Sequence, residues 1–156
     1  MPKAHTIHHF EDEPELLRWI PSVLFNRYWS RFHDWVRNEG NFQEQEGSST
    51  FELHVGGEVH IVEYRVYTSL SEFEQNFRPK AQDVALIDVM ESGEPRGLDV
   101  YQRVIKTLDA DAVYLVTSFP NTVTIPIPPR HILPKPLDVT ELADLLIDRL
   151  AIGDRG

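Results

Sequence analysis

The stretch Val84-Ala85-Leu86-Ile87-Asp88 decides the fold. Four apolar residues in a row, without polar alternation, suit a strand buried on both faces, which is the environment of a central parallel strand. The run ends on an acid. A second stretch, Ala112 to Val116, has the same character and ends at Thr117-Ser118. A third, Thr6-Ile7-His8-His9-Phe10, gives way to Glu11-Asp12-Glu13-Pro14, and a fourth, His131 to Leu133, leads into Pro134-Lys135-Pro136. Between these strands lie helical patterns. Leu98, Tyr101, Val104, Ile105 and Leu108 mark one, and Leu142, Leu145, Leu146 and Leu150 mark another that opens on the capping-box-like Asp138-Val139-Thr140-Glu141. Strands alternating with helices imply a parallel α/β sheet.

Outward from this frame the chain is less regular. From Pro14 to about Asn38 the apolar residues Leu16, Leu17, Ile20, Leu24, Phe25, Tyr28, Trp29, Phe32, Trp35 and Val36 recur at helical spacing, with Pro21 expected to kink the helix. Its aromatic area exceeds what one small sheet needs, so a homodimer or partner face is expected there. Glu39 to Thr50 is polar and reads as a loop. Phe51–Val55 and Glu58–Thr68, joined by Gly56-Gly57, read as a β-hairpin, and Ser69 to Phe77 as a short helix. Five prolines between Phe119 and Pro134 argue against a regular helix in that stretch.

Length and composition set outer bounds. The chain has 156 residues, 41% hydrophobic and 26% charged, which suits one ordinary globular domain. Its net charge of −10 argues against binding a phosphate backbone, so nucleic acid is not an expected partner. No apolar run reaches the roughly 20 residues that span a bilayer, and no signal pattern opens the chain. A cytoplasmic protein with no membrane partner is the expectation. The absence of cysteine excludes a disulfide framework, a thiolate metal site and a cysteine nucleophile. Seven histidines are present, but His8 and His9 point to opposite faces of a strand and cannot chelate one ion together.

Glu11-Asp12, Asp88, Thr117-Ser118 and Lys135 each follow directly on an apolar strand. In an open parallel sheet with right-handed crossovers the carboxyl ends of all strands share one edge, so these groups converge. Three crowded carboxylates repel unless a cation joins them. Hard oxygen ligands with open positions suit Mg²⁺. A lysine adds a compact positive charge and a threonine hydroxyl a donor for a phosphoryl oxygen. Such a site is suited to moving a phosphoryl group onto a carboxylate. An aspartate-nucleophile phosphatase would want a second acid two residues beyond the nucleophile, where this chain has Met90.

The ordered set Phe10-Glu11-Asp12-Glu13-Pro14, Leu86-Ile87-Asp88-Val89-Met90, Gly97-Leu98-Asp99-Val100, Leu115-Val116-Thr117-Ser118 and Leu133-Pro134-Lys135-Pro136 resembles the receiver domain of two-component response regulators. The resemblance covers residues 5–18 and 82–150 well and the middle poorly. It implies a flavodoxin-like, doubly wound, five-stranded parallel sheet of order 2-1-3-4-5, with an inserted hairpin and an extended first helix, in a single domain over 1–156. It also implies that Asp88 is the phosphoacceptor, Thr117 the switch hydroxyl and Lys135 the phosphoryl-pairing cation. Glu11, Asp12, Asp88 and the Met90 backbone carbonyl would hold Mg²⁺. A histidine kinase or phosphotransfer protein would be the phosphoryl donor and a further protein the downstream partner. Such a chain is not an enzyme beyond self-catalysed phosphotransfer and autodephosphorylation.

The sequence departs from that pattern in four places. Asp12 and Asp88 stand 76 positions apart, which implies an insertion over about residues 22–65. The loop Val89 to Arg96 is slightly expanded. Only 18 positions separate Thr117 from Lys135, so the proline-rich stretch 119–134 replaces a helix. Ile132 stands where the family carries a switch aromatic. These departures keep open an alternative, a receiver-like interaction module that does not depend on phosphorylation. No output domain is expected after the last helix, which leaves a stand-alone regulator or a domain excised from a longer protein.

Overall fold

The computed structural model describes residues 3–11, 43–45, 48–55, 58–80, 82–89, 97–118, 123, 126–135 and 138–150. Its strands are β1 (Lys3–Phe10), β2 (Gln43–Gln45), β3 (Ser48–Val55), β4 (Glu58–Tyr67), β5 (Val84–Asp88), β6 (Val113–Thr117) and β7 (Ile132–Pro134). Its α-helices are α1 (Leu70–Asn76), α2 (Gly97–Val104) and α3 (Val139–Leu150). The strands form one sheet in the order β2-β3-β4-β1-β5-β6-β7. From β4 to β7 every neighbouring pair is parallel, which gives the expected 2-1-3-4-5 order. The expected extended first helix, with its aromatic face, lies outside the described residues, as does the Gly56-Gly57 turn.

The hairpin is built as its alternation predicts, with β3 antiparallel to β4 from Ser48↔Arg65 to Val55↔Glu58. It is not peripheral, however. The whole length of β4 pairs in parallel with β1, from Lys3↔His60 to Phe10↔Tyr67, so β4 is itself the second strand of the five. Only β3 and β2 extend the sheet beyond it. The polar tract read as a loop also contributes, since Gln43–Gln45 pair antiparallel with Ser48–Thr50. Backbone groups satisfy one another in a ladder whatever the side chains are, which is why polarity alone misread this tract.

The register assigns side chains to two faces. Phe10, Tyr67, Ala85, Ile87, Val113 and Leu115 share one, and pack with Phe73 of α1 and Val100, Tyr101 and Val104 of α2. Three caps fix the helix starts. Ser69 Oγ accepts from Glu72 N–H at 3.1 Å, the Thr68 hydroxyl donates to the Glu72 carboxylate at 2.9 Å, and Asp138 accepts from Glu141 N–H at 3.0 Å. The other face carries His5, Ile7, His9, Val62, Tyr64, Leu86 and Tyr114. Helix α3 packs against β5, with Leu142 and Leu146 buried and Arg149 in electrostatic reach of Tyr114. Fully burying an aliphatic side chain such as Ile7 or Leu86 stabilises the fold by about 1.5–3 kcal/mol. Among the described residues no helix is long and apolar enough to cross a membrane.

In the proline-rich stretch the described residues contain no α-helix. Residues 126–128 are irregular, and Pro129–His131 form a single 3-10 turn before β7. Buried His131 anchors that turn by stacking on Tyr114, with centroids 4.5 Å apart, and by a 2.9 Å hydrogen bond from Nδ1 to the Val113 carbonyl.

Three histidines sit on β1, and each is buried against β4. His5 stacks on His60 with Nε2 and Nδ1 3.2 Å apart. Burial, and then the neighbouring His60, lower the His5 pKa to about 4. The unfolded chain therefore binds a proton here that the folded chain refuses, and this contribution to stability falls as pH drops from about 6.5 to about 4. A double substitution, His5→Phe with His60→Leu, is expected to remove on the order of 2 kcal/mol of the acid-induced loss across that window. Urea unfolding at pH 7, 5.5 and 4 measures it. An unchanged pH slope would show that this pair is not the titrating group.

Candidate functional site

Glu11 follows β1, Asp88 ends β5, Thr117 ends β6 and Lys135 follows β7, so all four lie at the carboxyl edge of the sheet. The backbone sets their positions. Glu11 N–H donates to the Tyr67 carbonyl at 2.9 Å, extending the β1–β4 ladder by one residue. Val89 N–H donates to the Val116 carbonyl at 3.0 Å, and Lys135 N–H donates to the Thr117 carbonyl at 3.0 Å. Each functional residue is therefore held by the strand beside it.

Lys135 Nζ lies 2.9 Å from Glu11 Oε2 and 3.2 Å from Asp88 Oδ2. Glu11, Asp88 and Thr117 are all but fully buried, at 1%, 3% and 0% exposure. Two carboxyl groups and one ammonium group thus occupy a water-poor edge. Burial pushes the Glu11 pKa up to about 8, the hydrogen bond it shares with Asp88 acts in the same sense, and Lys135 opposes both. Burial is the largest single influence and works against charge on Lys135, but the bonds and charges of Glu11 and Asp88 together outweigh it and its pKa is raised. With both acids ionised the site would hold one negative charge more than Lys135 can neutralise.

The donor chemistry fits a hard divalent cation, because two buried carboxyl groups short of positive charge are what such an ion joins. Among the described residues Glu11 and Asp88 could hold it, and these residues contain no cluster of three or more metal-ligating side chains. Asp12 and Met90, the other expected ligands, lie outside the described residues, as does most of the expanded loop after Asp88.

Gly97 supports the site from behind. Its N–H donates to the Val89 carbonyl at 2.9 Å. A Cβ at this position would come within 1.9 Å of the Asp88 carbonyl oxygen and 2.6 Å of Val89 Cα. Only a residue without a side chain lets α2 begin this close to the strand that carries Asp88.

Two buried polar networks escaped the sequence reading. On the face of Glu11, His9 Nδ1 and the Tyr64 hydroxyl are 2.5 Å apart, and both residues are wholly buried. Burial, and then the charge of Lys135, lower the His9 pKa to about 3; burial, and then Glu11, raise that of Tyr64. On the other face His8 bridges Asp83 Oδ2 at 2.9 Å and the Tyr67 hydroxyl at 2.8 Å. Asp83 also accepts from Thr6 N–H at 3.2 Å and Lys80 N–H at 2.9 Å. Strand alternation would suffice to put His9 on the Glu11 face. Finding Tyr64 required the β1–β4 register.

No protein-family model matches the chain, and no curated protein does. Among solved structures it is similar to the low-resolution structure of the response regulator StyR, with a TM-score of 0.50 and 16% sequence identity. That likeness covers 96% of this chain and 60% of StyR. At this identity it establishes a shared fold, and the five parallel strands fit a receiver.

The glycine generates a prediction. Gly97→Ala is expected to destabilise the protein by about 2 kcal/mol or more, because backbone and not a flexible side chain must give way. Asp99→Ala, at an exposed position two residues along the same helix, should change stability by about 0.5 kcal/mol or less. Thermal unfolding of the two variants compares them. Equal stability would show that the α2–β5 approach is looser than described.

Proposed function

We propose that this chain is a signalling receiver that accepts a phosphoryl group on Asp88 from a histidine kinase or phosphotransfer protein. The observation that supports this best is Lys135 Nζ lying within 3.2 Å of carboxylates from two different strand ends, Glu11 and Asp88, at the carboxyl edge of a sheet with receiver order. A structural module has no need of buried like charges.

In the proposed reaction an Asp88 carboxylate oxygen attacks the donor's phosphorus. An O–P bond forms, and the bond from phosphorus to the donor's nitrogen or oxygen breaks, with its electron pair leaving on the donor. Glu11, Asp12, Asp88 and the Met90 carbonyl would hold Mg²⁺, which when bound neutralises charge on the transferring group. Lys135 releases one carboxylate partner and pairs with a phosphoryl oxygen, and the Thr117 hydroxyl donates to another. The new bonds draw the β6 and β7 ends toward Asp88 and bias the loops they carry, which changes affinity for a downstream protein.

Intact mass after incubation with a small phosphodonor and Mg²⁺ tests the reading. One phosphoryl adduct is expected on the wild type, none on Asp88→Asn, and none in excess chelator. An unlabelled wild type would favour the interaction module that works without phosphorylation. Equal labelling of Asp88→Asn would move the acceptor elsewhere.

A further inference from the structure

The proposed mechanism leaves unused one buried polar group beside the acid site. His9 is fully buried, and its Nδ1 is engaged by the Tyr64 hydroxyl. Its Nε2 has no hydrogen-bond partner among the described residues. A buried imidazole nitrogen left unpaired forfeits its hydration with nothing in return, so such an atom calls for a partner that another state of the site supplies.

The sheet shows where that partner lies. His9 and Glu11 are two positions apart along one extended segment, so both project to the same face. Tyr64 projects there too, because it pairs in register with Ile7. The charges of Lys135 and Glu11 act on this pair directly, the first on His9 and the second on Tyr64. His9 thus lies two residues before Glu11 on the face that carries the acids. Tyr64 can satisfy His9 only by donating its O–H to Nδ1 or by accepting from it. A donor, and not a lone pair, is the favourable group to turn toward two acids, so Tyr64 donates and Nε2 carries the hydrogen.

We propose that His9, oriented by Tyr64, is the outer-shell positioning residue for Glu11: when a divalent cation takes over from Lys135, the His9 Nε2–H donates to a Glu11 carboxylate oxygen and holds that carboxylate toward the ion. This rests on the reading of Glu11 as a cation ligand. In the present arrangement Glu11 is held by Lys135 and Asp88, which accounts for the idle nitrogen. Outer-shell donors of this kind commonly set metal affinity by a factor of about 10–100.

Binding of Mn²⁺, followed by loss of the free-ion paramagnetic resonance signal, tests this without any phosphodonor. The double variant His9→Leu/Tyr64→Phe removes both imidazole nitrogens and the phenol hydroxyl together and leaves no buried orphan. It is expected to fold, with a melting temperature in chelator no lower than that of the wild type, and to bind Mn²⁺ about tenfold or more weakly. Tyr64→Phe alone keeps the imidazole but not its orientation and should weaken binding by a smaller factor. A folded double variant with wild-type Mn²⁺ affinity would overturn the inference while leaving the receiver reading intact. A wild type that binds no Mn²⁺ would overturn both. If the double variant fails to fold, the Tyr64→Phe affinity decides: a value equal to that of the wild type rejects the role for His9.

Discussion

Two carboxyl groups side by side out of water need a cation or a shared proton, and this constraint organises the carboxyl edge of the sheet. Glu11 arrives there from β1 and Asp88 from β5, both nearly devoid of solvent contact. Lys135 answers them from the last strand, with Nζ shared between the two. Because the lysine is fixed through its own N–H on the Thr117 carbonyl, the ion pairs tie β7 to β6 and both to the acid-bearing strands. One ammonium group does not fully balance two acids. The structure meets the deficit by protonation, with the Glu11 pKa raised by burial to about 8. A divalent cation that displaced this proton would meet the same deficit, which is why the proposed function places one there.

The apolar side of the structure serves that arrangement. The fully buried β5, packed by α2 and α3, and β6, packed by α2, carry Asp88 and Thr117 to the edge on rigid supports. Gly97 lets α2 start directly against the Asp88 backbone, which fixes Asp88 from behind. On the outer flank, β3 and β2 continue the sheet past β4. Their ladder protects β4, which would otherwise be an exposed edge while holding His60, Tyr64 and Tyr67 against β1.

Much of this was legible in the sequence, for identifiable reasons. Strands buried on both faces leave continuous apolar runs, and the acids, threonine and lysine that follow them stand out by contrast. That contrast singled out Glu11, Asp88, Thr117 and Lys135 and a parallel sheet, while the strand order was implied by the resemblance to receivers. Information carried by register was not legible. Nothing in the local sequence ties His9 to Tyr64, or His5 to His60, because each pair meets only when β1 aligns with β4. The pairing of Gln43–Gln45 was hidden for a related reason, since a ladder between backbones leaves little trace in side-chain polarity. The role of β4 as a core strand was obscured by its position in a hairpin, where the antiparallel partner is close in sequence and the parallel partner is 57 positions away (Lys3 to His60).

The central claim is that Lys135 and Asp88 form an energetically coupled pair at the strand ends and do not merely lie close together. A double-mutant cycle with Lys135→Met and Asp88→Asn, read by urea unfolding at neutral pH without divalent cation, measures that coupling directly. The account predicts an interaction energy of about 1–3 kcal/mol, with each single substitution costing more in the wild type than in the presence of the other. Strictly additive effects would contradict it.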